Sequence, residues 1–366
     1  MKYMKMAAIA MMALALFSCK KDEPKKAENA VLCIRINDAE LRALGTAYNT
    51  GDETTCMTEV TLILDNGAKI KLENTDLTQA KSTTGCMKKV NYAVKTVALT
   101  ANGVVNDNTS IKTLQNKNLK TEIPLEAQAT ATTTSTAGGQ TIYSVTLEPK
   151  PHVARVEVSG KIEPKKNNAG KNAFKSITVK NVYINNYLDT RAATNRTLCQ
   201  TNGIDGFETT PATQMSDEIK NTDLSAFEAG TKVAGYQLFP IKKNEAEGTE
   251  FYDHIILKIE IEYSDEALQV KPELANMKER YVTMVKFMTA STGDLKHFDS
   301  GMIYKLDLKE LSDAFKTGDD GTPDPKNPDT PDPEPNSKRF LKVMVTPYKW
   351  TAVNIKPDVD GNGYKK

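Results

Sequence analysis

Apolar and polar residues alternate with a period of two through most of this sequence. In MTEVTLILDNGAKIKL (57–72), Val60, Leu62 and Leu64 share one face, and the tripeptide at 65–67 supplies a turn before the pattern returns. Such alternation is typical of β-strands with one buried face. The same pattern recurs in the stretches 92–103, 141–149, 152–162, 174–188, 235–241, 254–264, 281–287 and 301–308. Strands separated by short turn regions predict an all-β protein built from antiparallel sandwiches, not βαβ units.

The length of the chain predicts two such domains. Its 366 residues are too many for one ordinary sandwich. Two prolines in Pro149-Lys150-Pro151 interrupt a pair of strand patterns, so we expect an N-terminal sandwich over 29–150 and a C-terminal sandwich over 151–318. Only 216–230 and 308–318 show short helical spacing. The low-complexity stretch 130–140 is expected to be a loop or a hairpin tip.

The first 18 residues have the features of a secretory signal. Lys2 and Lys5 precede an apolar run that is too short to cross a bilayer. The tetrad Leu-Phe-Ser-Cys that ends at Cys19 resembles a bacterial lipobox, in which the signal is cut before the cysteine and the cysteine is acylated. We therefore expect a signal peptide at 1–18 and a lipidated tether at 19–28. The alternative is a plain signal peptide with an incidental cysteine.

Charge and cysteine content exclude some classes of partner. The 48 Lys and Arg residues almost balance the 47 Asp and Glu residues, so no basic surface suggests nucleic-acid binding. Four cysteines follow Cys19, without CxxC spacing or a neighbouring histidine, and no metal or cofactor is expected; they are Cys33, Cys56, Cys86 and Cys199. Export would permit a disulfide, and Cys56 with Cys86 is the pairing we favour. Buried free thiols remain the equal alternative.

No catalytic motif is present. The three histidines, His152, His254 and His297, are isolated in the sequence, and two of them lie in predicted strands. GxSxG, HExxH and phosphate-binding glycine loops are lacking. We therefore expect a protein that is not an enzyme.

The C-terminal end combines a linker with a strand-like tail. Residues 319–337 are rich in proline and acidic residues and have no large apolar residue, which predicts an extended, solvated linker. Residues 338–366 then carry an alternating apolar set: Leu341, Val343, Val345, Trp350, Val353 and Ile355. Burying such side chains releases about 1.5–3 kcal/mol each. The tail is thus expected to join a sheet, either of its own domain or of another molecule, and the long linker favours the second.

Several stretches together resemble the FimA/Mfa-like fimbrillins, the subunits of Bacteroidales type V pili. They are the lipobox cysteine, PHVARVEV, GYQLFPIK, DSGMIYKLDLKEL and the terminal LKVMVTPYKWTAVNIKP, in that order along the chain. The resemblance implies two transthyretin-like sandwiches, a surface-exposed outer-membrane lipoprotein precursor and a mature form in extracellular fimbriae.

The resemblance also implies assembly by donor-strand exchange. An arginine-specific protease would remove the N-terminal strand, and the exposed groove would accept the C-terminal strands of the next subunit. Here AVLCIRIND (30–38) is the expected first strand, and Arg42-Ala43 the expected cleavage site, with Arg35 as a competing site. The implied partners are copies of the chain, other pilus subunits, the outer membrane through lipid on Cys19, and host or bacterial surface ligands. The alternative is a tip adhesin or a non-polymerising surface lipoprotein that binds host or glycan ligands.

Overall fold

The structure is a computed structural model of the chain. It describes residues 26–36, 57, 59–115, 123–135, 139–193, 215–240, 253–289, 293–295, 298–331, 341–344, 348–349, 354–355 and 357–358. Within this part of the chain, no helix is long and apolar enough to cross a membrane.

The N-terminal half is a sandwich of two sheets. Its elements are β1 (Lys26–Ile36), β2 (Val60–Leu64), β3 (Lys69–Leu72), α1 (Asn74–Ala80), β4 (Cys86–Tyr92), β5 (Thr96–Ala101), α2 (Ile111–Gln115), β6 (Leu125–Thr130), β7 (Thr132–Ser135), β8 (Thr141–Leu147) and β9 (Lys150–Pro151). One sheet has the order β4-β1-β8-β7, and the other has the order β3-β2-β5-β6-β9. A core of buried apolar side chains lies between them.

The C-terminal half is a second sandwich. Its elements are β10 (Ala154–Ser159), β11 (Phe174–Asn185), β12 (Met215–Glu218), α3 (Leu224–Glu228), β13 (Ala234–Leu238), β14 (His254–Tyr263), α4 (Asp265–Val270), a 3-10 helix (Pro272–Asn276), β15 (Glu279–Thr289), β16 (Gly293–Leu295), β17 (Met302–Asp307) and a second 3-10 helix (Leu308–Ala314). The predicted all-β, two-sandwich class is confirmed. The stretch 216–230, expected to be helical, instead begins with the end of β12 and is helical only in α3.

Local sequence explains why these strands form. Along β2 and β5, buried and half-buried residues alternate strictly, so each strand presents one face to the core. The turn between β2 and β3 is fixed by the Asn66 side chain, whose Oδ1 accepts a hydrogen bond from the Ala68 amide at 2.9 Å. Gly67 adopts a φ of +83° there, a conformation that glycine reaches without strain. The hairpin predicted at 57–72 is confirmed.

The two sandwiches repeat one topology. β1 pairs antiparallel with β4 on one side and parallel with β8 on the other. β10 does the same with β13 and β17. In both halves the first strand therefore lies inside its sheet, between two partners that come much later in the sequence. The period-two pattern did not reveal these parallel pairs, because alternation shows which face of a strand is buried but not which strand lies beside it.

The tail pairs with its own second sandwich. Four short strands follow residue 340: β18 (Leu341–Met344), β19 (Tyr348–Lys349), β20 (Asn354–Ile355) and β21 (Pro357–Asp358). β18 runs parallel to β15 and carries β21, while β19 and β20 both pair with β17. The sequence left both destinations open and favoured another molecule. In this structure the backbone of the tail extends both sheets of its own domain.

Residues 319–331, before the tail, contact the second sandwich. Tyr281 and Thr330 exchange backbone hydrogen bonds of 2.9 Å in both directions. Arg280 Nε contacts Asp329 Oδ2 at 2.9 Å, and both side chains are largely buried. Asn327 Oδ1 accepts a hydrogen bond from the Lys316 amide at 3.0 Å. This differs from the solvated linker expected over 319–337, because acidic and polar side chains here find partners on the domain surface.

We predict that Gly160→Ala destabilises the protein more than Gly170→Ala. Both glycines have positive φ, +105° and +77°, so alanine costs about 1–2 kcal/mol at either position. A Cβ at Gly160 would also meet Asp307 Oδ1 and lie 2.9 Å from the Leu308 amide, whereas a Cβ at Gly170 meets nothing within 4 Å. The additional loss at Gly160 should be about 1–3 kcal/mol in denaturant unfolding. Equal losses for the two variants would contradict the close packing of β10 on β17.

Candidate functional site

β1 is the candidate functional element, because a strand near the N-terminus forms the middle of a sheet. Its residues Leu32 and Ile34 are fully buried, and Ala30 and Ile36 are 2% and 3% exposed. All four belong to the core of the N-terminal sandwich. The first strand expected within 30–38 is present as β1, and Leu32, Ile34 and Ile36 lie on its core face.

Backbone pairing holds β1 on both sides. Residues 30–36 pair in continuous register with residues 141–147 of β8. Residues 30–34 pair with residues 90–86 of β4. Among the described strands, β4 has β1 as its only neighbour in the sheet. Loss of β1 would therefore leave an apolar groove with two unpaired edges, one on β4 and one on β8.

A turn over 83–85 covers the outer face of β1. Arg35 Nε donates a hydrogen bond to the Thr83 carbonyl at 2.9 Å, and Cys33 Sγ lies 3.7 Å from the Thr84 carbonyl. Gly85 has a φ of +76°, and a Cβ there would lie 2.8 Å from the Ile34 carbonyl oxygen. Only glycine allows the turn to approach β1 so closely.

Polar groups line one end of the position that β1 occupies. Lys88 Nζ lies 2.7 Å from Asp76 Oδ1 on α1, and hydrogen bonding from Lys88 lowers the pKa of Asp76. Cys86 Sγ lies 3.7 Å from the same carboxylate oxygen. Burial raises the pKa of the Cys86 thiol, with a further contribution from the charge of Asp76.

The cysteines give a correction. Cys33 and Cys86 are both buried free thiols, so the favoured Cys56–Cys86 disulfide is absent from the structure. The alternative of buried thiols holds for these two residues. Cys56 and Cys199 lie outside the described residues.

Several of the predicted site residues also lie outside the described residues. They are Cys19, Arg42, Ala43, Val345, Trp350 and Val353. Leu341 and Val343 lie in β18, and Ile355 lies in β20, where the backbone pairing is defined. Arg42 follows the last residue of β1, Ile36, by six positions in the sequence.

The histidines do not form a catalytic arrangement in the described part of the chain. His152 lies beside Glu126 in an ion-pair geometry, and His254 lies 3.5 Å from the Asn186 amide nitrogen. Across the described ranges, no group of three or more His, Cys, Asp and Glu side chains is placed to hold a metal ion.

Comparison with known proteins gives a result at the level of structure alone. No protein-family model matches the chain. No curated protein matches it. Among solved structures, the fimbrilin FimA from Porphyromonas gingivalis aligns with a TM-score of 0.50 at 12% identity, over 90% of this chain and 98% of FimA.

The fold is that of a fimbrilin.

Two other solved structures align less well with this fimbrilin fold. A predicted cell adhesion protein from Bacteroides eggerthii aligns with a TM-score of 0.44 at 16% identity, over 91% of this chain and 99% of its own. The tip fimbrial protein Mfa3 from Porphyromonas gingivalis aligns with a TM-score of 0.33 at 9% identity, over 75% of this chain and 94% of its own.

We predict that Ile34→Ala in β1 destabilises the fimbrilin fold by about 2–5 kcal/mol, because it leaves a cavity in the N-terminal core. Val31→Ala is the matched control, since Val31 lies in the same strand but is only half-buried and belongs to neither core cluster. The control should cost less than about 1.5 kcal/mol. Denaturant unfolding of both variants measures the difference, and similar losses would argue against an inward-facing Ile34.

Proposed function

We propose that the chain is a structural subunit of a cell-surface fimbria that polymerises by donor-strand exchange. The observation that carries this proposal is the position of β1. It lies in the middle of a sheet, it precedes an arginine by a few residues, and its removal would create a full-length groove in a fimbrilin fold. No catalytic role is proposed.

The energetics of β1 explain why a covalent cut would be needed. Leu32, Ile34 and Ile36 contribute about 1.5–3 kcal/mol each, and each ladder hydrogen bond adds about 0.5–1.5 kcal/mol. A strand held this firmly does not leave while it remains attached to the domain. Cleavage at Arg42-Ala43 by an arginine-specific protease would make β1 a separate peptide. Once it dissociated, the peptide would be diluted in solution and would not bind again.

The tail would supply the replacement strand. In the described part of the tail the strands are two to four residues long, against 11 residues for β1, so fewer backbone pairs hold these strands than hold β1. We propose that the tail is stored on its own second sandwich in the precursor. It would transfer to the groove of a neighbouring copy, where a longer ladder and an apolar floor are available. Head-to-tail transfer does not close on itself, so it produces a filament.

The partners follow from this scheme. They are copies of the chain and other pilus subunits, and the precursor would be held at the outer membrane by lipid on Cys19 before processing. Host or bacterial surface ligands of the finished fibre belong to the same proposal.

One observation favours a second candidate. Because the tail already pairs with both sheets of its own domain, a non-polymerising surface lipoprotein or a tip adhesin with a permanently docked tail fits the same structure. Treatment with an arginine-specific protease separates the two candidates. A subunit gives an SDS-resistant ladder, and a binding module remains a monomer.

We predict that Arg42→Ala abolishes the specific N-terminal cleavage and, with it, the ladder. Arg35→Lys is the matched control, because Arg35 lies inside the paired part of β1, where a protease cannot bind the backbone. The control should be processed and should polymerise as the wild type does. N-terminal sequencing of the product and a gel of unboiled samples give the readout. Polymerisation of the Arg42→Ala protein at the wild-type rate would refute this choice of site.

We predict that a protein lacking residues 337–366 remains folded but forms no filaments. Its two sandwich cores should persist, because the core side chains that the structure describes all precede residue 316. A protein lacking only 359–366, beyond the end of β21, is the control and should form filaments. Electron microscopy after protease treatment distinguishes them, and long filaments from the first protein would reject the tail as donor.

A further inference from the structure

The junction between the two sandwiches is built by exchange of side chains between their cores. Residues 105–115, which we call the interdomain arm, lie between β5 and β6 in the N-terminal sequence. Yet Val105, Ile111 and Leu114 of the arm belong to the core of the C-terminal sandwich and are at most 3% exposed. In return, Ile303 of β17 belongs to the core of the N-terminal sandwich and is 4% exposed.

Hydrogen bonds fix the arm on the second sandwich. The Ile111 amide donates to the Asp189 carbonyl at 2.7 Å, and Ser110 Oγ donates to Asp189 Oδ1 at 3.0 Å. Arg191 Nη1 donates to the Val105 carbonyl at 2.9 Å.

A second contact joins α2 to β13. Gln115 Nε2 donates to the Gln237 carbonyl at 2.6 Å, while the Gln237 amide donates to Gln115 Oε1 at 2.9 Å. This two-point contact fixes the position of α2 against β13.

β17 connects this junction to the tail. The side chain of Ile303 packs into the same core as Leu32, Ile34 and Ile36 of β1. The backbone at Ile303 pairs with Tyr348 of β19, and two residues further on β17 pairs with β20. One strand thus contacts the N-terminal core with a side chain and holds the tail with its backbone.

We propose that the junction couples the state of β1 to the docking of the tail, with Ile303 as the positioning residue. Loss of β1 takes four buried side chains out of the core that holds Ile303, which weakens the support of β17 at the residue where β19 is attached. The tail is then released more readily once the groove is open. This rests on the proposed function, because it assigns a regulation to the same assembly site. Processing at one end of the chain would favour release at the other end.

Hydrogen exchange of the unprocessed, full-length monomer tests this coupling. Ile34→Val weakens β1 mildly and should raise its opening equilibrium about 2- to 10-fold. The coupling requires a rise in exchange at β19 and β20 as well, although both lie in the other domain. Leu32→Ala, which removes more of the buried side chain, serves as the second variant if the first changes nothing in β1.

Repeating the Ile34→Val measurement in two further variants shows whether the coupling passes through Ile303. In the Ile303→Ala protein, Ile34→Val should no longer raise hydrogen exchange at β19 and β20. Leu306→Ala is the matched control, because Leu306 lies on the same strand but its side chain lies in the C-terminal core. In this protein, Ile34→Val should still raise hydrogen exchange at β19 and β20.

The outcomes are distinct. A rise confined to β1, β4 and β8 overturns the coupling, and an equal rise at the tail in the Ile303→Ala background overturns the role of Ile303. Because the measurement uses a monomer and no protease, failure of filament formation would reject the proposed function without altering this result.

Discussion

The placement of β1 between β4 and β8 is the constraint on which the rest of this structure depends. A sheet interior is normally formed by strands that the chain cannot lose, since each buried amide and carbonyl must keep a partner. Here an interior position is given to a segment close to the N-terminus. The stability of the N-terminal sandwich therefore depends on a piece that a single backbone cut would separate from it. The short strands of the tail, by contrast, add to sheets whose described core side chains all precede residue 316.

The first strand has the same neighbours in both halves, so β1 can be compared directly with β10. β10 occupies in the second sandwich the position that β1 occupies in the first, but β10 is joined on both sides to other strands of the two sandwiches, β9 before it and β11 after it. The interdomain arm and Ile303 then place side chains of each half in the core of the other. The two sandwiches are thus alike in strand order but unequal in how their first strand is secured.

Sequence patterns predicted the strands better than their partners. Val60, Leu62 and Leu64 were assigned to one face correctly, because alternation reports a buried face directly. The pairing of β1 with β8 left no local signal, since parallel partners are set by long-range packing.

α1 was missed because seven residues carry too little helical periodicity. The composition of 319–331 suggested a solvated linker, but the contacts of Asp329 and Thr330 with β15 depend on distant residues. The interdomain arm was not predicted for the same reason, because the local sequence does not show that Ile111 and Leu114 are buried against the second sandwich.

The contacts of residues 319–331 with the second sandwich limit how far the tail can lie from its own domain. With Pro331 held near β15, only nine residues separate it from Leu341, and they span at most about 36 Å even when fully extended. A connection this short keeps the tail at a high local concentration around its own domain, which favours docking of the tail on that domain. In the proposed exchange, a neighbouring copy would have to bring its acceptor edge within that distance of Pro331 before it could bind the start of the tail.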